Sequence, residues 1–186
     1  MTIEKSDFAV EYKSTGDLQK YFYKHCAMRQ NKLMGIGFIV VGLMMLASTF
    51  MGEHGLLSGD PINGHKIMYI VLTAALAGVG VFMICTPSIM GGVSQKNLEQ
   101  MYDGKAPDVT IMFGDYVYVS HNGREPYGYS YSDIMTFVDT AEMYTLMTSK
   151  QTGFMVPKDS FVKGEPGDFT EYFKRKCVKT CGFRKA

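Results

Sequence analysis

The sequence predicts an α+β membrane protein: a two-helix transmembrane hairpin joined to a cytoplasmic β-meander that a C-terminal amphipathic helix closes. Three observations carry this prediction. Two twenty-residue stretches without a charge interrupt a chain of 186 residues. Beyond them, apolar and polar residues alternate between turn signals, and a last segment repeats its aromatics at helical spacing.

The first uncharged stretch is LMGIGFIVVGLMMLASTFMG, residues 33–52, and the second is IMYIVLTAALAGVGVFMICT, residues 67–86. At about 1.5 Å per residue, a helix of this length covers the roughly 30 Å of hydrocarbon in a bilayer. Two such helices in so short a chain leave no polar shell that could bury them, and in lipid only helices or closed barrels satisfy the backbone. Thirty-two mostly polar residues come before the first span, so no cleaved leader is expected. Lys20, Lys24, Arg29 and Lys32 precede the spans and Lys96 and Lys105 follow them, whereas the connecting loop, 53–66, has Lys66 alone beside Glu53 and Asp60. The positive-inside rule puts both termini in the cytoplasm and that loop outside, as expected of a two-span, multi-pass protein of the cell membrane. Gly35, Gly37, Gly42, Gly78 and Gly80 lie within the spans, and Ala74 with Gly78 gives a small-xxx-small spacing. We read these residues as packing the two spans on each other, with a homo-oligomer as the alternative. Neither span carries Asp, Glu, Lys, Arg or His, so an ion or proton pathway is not expected.

Residues 1–32 form the cytoplasmic N-terminal piece. Phe8 to Tyr12 alternates as a half-buried strand does, and Ser14 and Asp17 have the spacing of a helix start. Leu18, Tyr21, Phe22, His25 and Cys26 then recur at helical intervals toward the first span. Residues 87–105 are read as a connecting segment, with a break at Pro87, Gly91 and Gly92 and a short helix ending at Gly104. Residues 106–182 form the C-terminal domain. There DVTIMF and YVYVSHNGREPYGYSY make strands around Asn122-Gly123, a strong hairpin signal. IMTFVD, MYTLMTS and FMVP follow, and then an amphipathic helix with Asp168 as cap and Phe169, Tyr172, Phe173 and Cys177 on one face.

A two-residue Asn122-Gly123 turn predicts Tyr118 opposite Tyr127 and Tyr116 opposite Tyr129, so that four tyrosines share one face and Val117 and Val119 the other. Which face lines the core stays open at this level. Cross-strand aromatic pairs stabilise a sheet without any ligand. Packing is therefore the leading reading of Tyr116, Tyr118, Tyr127 and Tyr129, and a candidate binding surface the alternative.

Several segments resemble the YcxB-like family of bacterial membrane proteins: Tyr131-Ser132-Asp133-Ile134, Phe137-Val138-Asp139-Thr140, Tyr144-Thr145-Leu146 and Val156-Pro157-Lys158-Asp159-Ser160-Phe161. The N-terminal strand and helix followed by two spans also resemble that family's plan. Tyr131 stands where the family often has tryptophan, and we expect it to be the most buried of Tyr127, Tyr129 and Tyr131. The resemblance implies a pleckstrin-homology-like (PH-like) sheet domain and supplies no catalytic residues.

No nucleophile–base constellation or phosphate-binding loop is evident, and Gly-x-Gly occurs only inside the spans. Cys177 and Cys181 would stand one helical turn apart, which is half of a structural zinc site at most. Cys26, His25 and His121 are isolated in sequence, so no metal, cofactor or thiol chemistry is expected, nor any disulfide on the cytoplasmic side. Charge is more informative. Residues 97–171 hold twelve acids and five bases, whereas Lys174, Arg175, Lys176, Lys179, Arg184 and Lys185 end the chain without an acid. Such a cluster attracts anionic lipid at about 1 kcal/mol per cation near the surface, or it is a solvated face favoured by the helix dipole. The acidic remainder of the domain argues against nucleic acid.

The function expected is that of a membrane-anchored, non-enzymatic adaptor or regulator whose cytoplasmic domain binds a protein or an anionic lipid headgroup. An assembly protein that self-associates through its spans, and an enzyme, are the alternatives. The hairpin is directly testable: a reporter fused at either terminus should read cytoplasm and one inserted near Ser58 should read the outside, and a cytoplasmic signal at residue 58 would exclude the hairpin.

Overall fold

In the computed structural model, which describes residues 2–51, 64–149, 152–177 and 181–185, the alternating FAVEYK segment is β1 (Phe8–Lys13). It occupies the interior of a sheet. On one side β1 pairs antiparallel with β2 (Asp108–Phe113), with Phe8 opposite Phe113, and on the other with β8 (Phe161–Lys163). β3 (Val117–His121) and β4 (Tyr127–Tyr129) continue the order β4-β3-β2-β1-β8. A second sheet, ordered β7-β6-β5-β9, contains β5 (Thr136–Asp139), β6 (Met143–Met147), β7 (Gly153–Pro157) and β9 (Gly182–Lys185). β9 runs parallel to β5, and the other neighbours are antiparallel. The domain is thus α+β with two sheets, where the sequence pattern predicted one continuous meander.

The two sheets share a core with α4 (Pro166–Lys176), which Pro166 opens at its first helical position, where a missing N–H costs nothing. Its N-cap is Glu165; Asp168, the expected cap, stands in the first turn. Phe169 and Phe173 are fully buried and Tyr172 nearly so, as their helical spacing predicts. The Phe169 ring meets Phe8 and Phe113 of the first sheet at 5.4 and 4.8 Å and Tyr144 of the second at 5.2 Å.

The second sheet is covered on its other face as well. Along β6, Tyr144 and Leu146 point into the α4 core, while Met143 and Met147 join Val138, Met155 and Phe22 in a smaller cluster. Phe22 ends α1 (Gly16–Phe22), which a wider π-helical turn, Tyr23–Ala27, extends. Cover on both faces explains why every residue of β6 is buried and why the strand lacks the usual alternation of burial. Thr145, the polar residue at its centre, is within 3.3 Å of the Cys26 thiol, which donates to its hydroxyl. Thr15 caps α1, accepting from Leu18 N at 3.4 Å. Ser14, expected at the cap, is instead buried and accepts from Gln19 Nε2 at 3.1 Å.

Residues Met28–Ile89 make a unit separate from Met1–Ala27 with Met90–Ala186. The first contains α2 (Arg29–Met51) and most of α3 (Gly64–Met101). Both helices are long and apolar enough to cross a membrane, and 11% of each apolar window is buried inside the molecule, unlike the core helix of a soluble protein. They approach at Gly35 and Gly80: a Cβ on either would lie 2.7 Å from the other's carbonyl oxygen. Gly42 faces Thr73 and Ala77, whereas Gly37 and Gly78 meet nothing within 4 Å. The two apolar helices therefore do pack on each other, but through Gly35 and Gly80, with Gly78 of the predicted small-xxx-small pair left out.

The break expected at Pro87, Gly91 and Gly92 is absent, since α3 continues through all three to Met101. Gly91 has a different use. A Cβ there would lie 2.6 Å from Lys20 Cα, so this glycine lets the end of α3 lie against α1. Gln95, one turn on, donates from Nε2 to the Ser14 carbonyl at 3.0 Å and to Glu99 at 2.9 Å, and Ser94 donates to Gln19 Oε1 at 3.2 Å. A tertiary contact has overridden weak local helix propensity. Residues 53–63 of the expected loop lie outside the described residues, and Gly64 already belongs to α3.

Phe169→Ala should remove the ring on which both sheets close. Loss of a fully buried Phe costs about 3–5 kcal/mol. In detergent, thermal unfolding followed by circular dichroism should show a markedly lower midpoint, and an unchanged midpoint would contradict the shared core.

Candidate functional site: the tyrosine hairpin and the basic end of the domain

Asn122 and Gly123 form the turn that the sequence predicts. Both have positive φ, 50° and 68°, and Arg124 N donates to the His121 carbonyl at 3.0 Å. The strands beyond it do not keep the register of that turn. Tyr127 lies opposite Val119, Tyr118 opposite Gly128 and Tyr129 opposite Val117. The descending strand has gained one residue. Pro126 provides the reason, because it has no N–H to give to the ladder at the position where pairing would continue. A one-residue slip sends each side chain to the opposite face, so the expected pairs Tyr118–Tyr127 and Tyr116–Tyr129 do not form and the four tyrosines share no face.

Their surroundings differ accordingly. Tyr129 shares the face of Val117 and Val119, which is the buried one, and its ring packs on Phe154 at 4.6 Å. Tyr127 is on the same face at the strand's end and is 70% exposed. Tyr118 lies on the outer face, its ring 3.3 Å from where a Gly128 Cβ would be, and so covers the glycine opposite. Tyr116, 51% exposed, stands in the β2–β3 turn with its ring edge-on to Tyr118 at 6.2 Å. Exposed Tyr116 and half-buried Tyr118 thus remain as a pair, and Tyr127 stands alone. Beside the hairpin, Tyr102 stacks on His121 at 5.9 Å with the Arg124 guanidinium 4.8 Å from its centroid. Burial and then Arg124 hold His121 below the ordinary histidine range.

Tyr131 is the most buried of Tyr127, Tyr129 and Tyr131, at 7%. Its hydroxyl lies 3.0 Å from that of Tyr172 and donates to the Gly114 carbonyl at 3.1 Å, while Tyr172 donates to Asp7 at 3.0 Å. Burial pushes the Tyr131 hydroxyl up to about 12, against the bond from Tyr172. Burial likewise raises Tyr172, joined by its bonds to Tyr131 and Asp7. This buried pair ties α4 to the β2–β3 turn and to the lead-in of β1.

The other segments that carry the family resemblance are also structural. Ser130 caps a 3-10 turn, Tyr131–Asp133, and Asp133 accepts from Ser130 N at 3.0 Å in a capping box. Lys158 donates to Asp139 at 2.7 Å and to the Thr140 carbonyl at 2.6 Å, closing β7 onto the end of β5.

The basic cluster is divided. Lys176 reaches Asp7 at 3.9 Å and Asp115 at 3.6 Å, and with Asp7, Tyr172 and Arg175 it lines an open cleft. Lys174 and Arg175 are exposed, and Lys174 Nζ stands 5.7 Å over the Phe183 ring. Arg184 and Lys185, read from the sequence as anionic-lipid contacts or part of a solvated helix face, belong to β9, where Val138 pairs with Arg184 and Asp139 with Lys185. All four residues of β9 are exposed, and β9 is the edge of its sheet. Lys179 lies outside the described residues. The sequence reading missed this edge, because four residues are too few for a period and the strand's partner precedes it by 46 positions. The aromatic Phe183, 5.3 Å from Phe137, was the available signal.

Cys177 and Cys181 do not stand on successive turns of one helix, since α4 ends at Lys176 and Cys177 is its C-cap. Cys177 is buried, and Cys181 is half-buried against the same core. Cys177 Sγ donates to the Tyr131 carbonyl at 3.6 Å and Cys181 Sγ to the Gly182 carbonyl at 3.9 Å. Among the described residues no three His, Cys, Asp or Glu side chains gather as a metal site would require.

Comparison with known proteins gives one match. Residues 113–173 fit the family model of YcxB-like protein, from the end of β2 into α4. That stretch holds Tyr131, the Ser130 cap and the Lys158 clamp. No curated protein and no solved structure matches the chain.

Two outcomes follow from this geometry. Tyr131→Ala should lower the thermal midpoint strongly, at about 3–5 kcal/mol for a buried aromatic, whereas Tyr127→Ala should melt like the parent; equal midpoints would reverse the assignment. For His121 the folded value lies below the unfolded one near 6.5. The unfolded chain then binds more protons, so stability is fully present above about pH 6.5 and falls as pH drops through the folded value. Midpoints measured from pH 7.5 to 5 should fall less in His121→Gln than in the parent.

Proposed function

We propose that this protein, with its YcxB-like segment at residues 113–173, is a membrane-anchored, non-enzymatic adaptor whose sheet domain binds an acidic protein segment. The observation that carries the anchoring is the pairing of β1 with β2 and β8. β1 precedes both apolar helices and its partners follow them, so the two flanks lie on one side of any membrane the helices enter. An even number of crossings meets that condition, which supports a two-span hairpin in the cell membrane. The positive-inside rule favours the cytoplasm for the domain. Two sheets closed by α4 support the PH-like reading of its fold.

The partner's chemistry follows from β9. An exposed edge offers unpaired backbone groups to an added strand, and Arg184 and Lys185 on it repel a second copy of themselves while attracting carboxylates. Lys174 and Arg175 extend the same charge. A second reading, self-association in the bilayer, is favoured by Gly37 and Gly78, which the helix pair leaves uncontacted.

Capture of partners from crosslinked membranes tests both. The intact protein should retain a defined soluble partner that Arg184→Glu/Lys185→Glu loses about tenfold or more, as expected for rim charges worth at least 1.4 kcal/mol together. Identical capture by both forms would sink the edge as the site. Self-capture that depends on Gly37 and Gly78 would favour assembly instead.

A further inference from the structure

We infer that the segment recognised at β9 is an extended strand in which an apolar residue and an acidic residue stand two positions apart, the first seated on Phe183 and the second beside Lys185. This rests on the reading of β9 as the binding edge and gives the partner a pattern. Backbone direction comes first. Gly182 N–H donates to the Met135 carbonyl at 2.9 Å, the bond with which the parallel β9–β5 ladder opens. Bonding alternates along such a strand, so Gly182 and Arg184 turn their backbone groups toward β5, and Phe183 and Lys185 turn theirs away. An added strand bonds to those two residues.

Side chains follow the same alternation. Phe183 lies opposite Phe137 and Lys185 opposite Asp139, so both stand on the α4 side of the sheet, whereas Arg184, opposite Val138, stands on the other. On the α4 side aromatic contact runs from Tyr144 to Phe137 at 5.4 Å and from Phe137 to Phe183 at 5.3 Å. There it stops at the edge, with Phe183 39% exposed and Lys174 Nζ 5.7 Å over its ring. Asp139, opposite Lys185, is already bonded to Lys158 at 2.7 Å. Among the described residues Lys174, Arg184 and Lys185 have no carboxylate partner.

An added strand continues this layer. Its residue opposite Phe183 meets an exposed ring at the end of an aromatic row, which fits an apolar side chain and an aromatic one best. Two positions along, on the same side, its next residue meets Lys185, whose charge no acid of the sheet answers, and this fits Asp or Glu. In a parallel strand the acid follows the apolar residue; in an antiparallel strand it precedes it. The residue between them lies opposite Arg184 on the other side, where a second acid adds to the attraction.

The test uses the full chain in phosphatidylcholine nanodiscs as bait for a phage-displayed pool of random short peptides, counter-selected on Arg184→Glu/Lys185→Glu. Peptides enriched on the parent should hold an apolar residue with Asp or Glu two positions away. A fluorescent copy of the strongest, followed by anisotropy, should bind Lys185→Glu at least about tenfold more weakly than the parent, and changing its apolar residue or its acid to Ser should each cost about tenfold. Lys174→Glu lies on α4, outside the strand, and so reports on the site without altering β9; it should weaken the same peptide about threefold or more. Binding indifferent to Lys174→Glu and to the peptide's apolar residue would overturn the inference. Enriched acidic peptides without a fixed apolar spacing would also overturn it while leaving the edge reading intact, and a pool in which no peptide prefers the parent to the double variant would overturn both.

Discussion

Phe169 and Phe173 stand one turn apart on α4, and the two sheets meet over them. Without that helix the five-stranded and four-stranded sheets would each present a row of aromatic and branched side chains to water. The pairs that Phe169 makes with Phe8, Phe113, Phe137, Tyr144, Phe161 and Phe173 are tilted or edge-on at 4.8–6.2 Å, an arrangement in which aromatic quadrupoles attract. α4 is therefore less a cover on a finished sheet than the reason two sheets form one core. The buried Tyr131–Tyr172 pair fixes how far the helix enters, because its hydroxyls must reach the Gly114 carbonyl and Asp7 to be satisfied.

The helix pair obeys a different constraint. Its two helices meet by close backbone approach, which small residues permit and which dispersion contacts reward. Gly35 and Gly80 provide the approach from opposite sides of one contact, where any larger side chain would push the helices apart. Beyond residue 89 the same helix exchanges glycine packing for a hydrogen-bonded set of Ser14, Gln19, Ser94 and Gln95. One continuous helix thus carries two kinds of interface along its length.

Much of this was legible in the residues, and what was not has physical causes. Charge-free length found both apolar helices, and alternation found β1, β2, β3 and β6. Helical spacing found the buried face of α4, since Phe169, Tyr172 and Phe173 answer to a local period. The register of the tyrosine hairpin was misread because Asn122-Gly123 does form its turn, while Pro126, three residues on, adds a residue that the turn alone does not foretell. Pro87 and Gly91 signalled a break that contact with α1 overrides. β8 and β9 were missed because strands of three and four residues owe their existence to partners elsewhere in the chain.

The position of β1 also has a consequence in time. During synthesis Phe8–Lys13 emerges before both apolar helices, yet its two neighbours in the sheet are β2 and β8. At about 5–20 residues per second, the strand made first waits on the order of ten seconds for its partners. A ribosome that stalls anywhere before residue 161 leaves it open along one edge or both. The sheet is accordingly a record of completion: it closes only on a chain whose apolar helices and second half have all been delivered, and an unfinished product stays marked by a bare strand that proteases and chaperones can recognise.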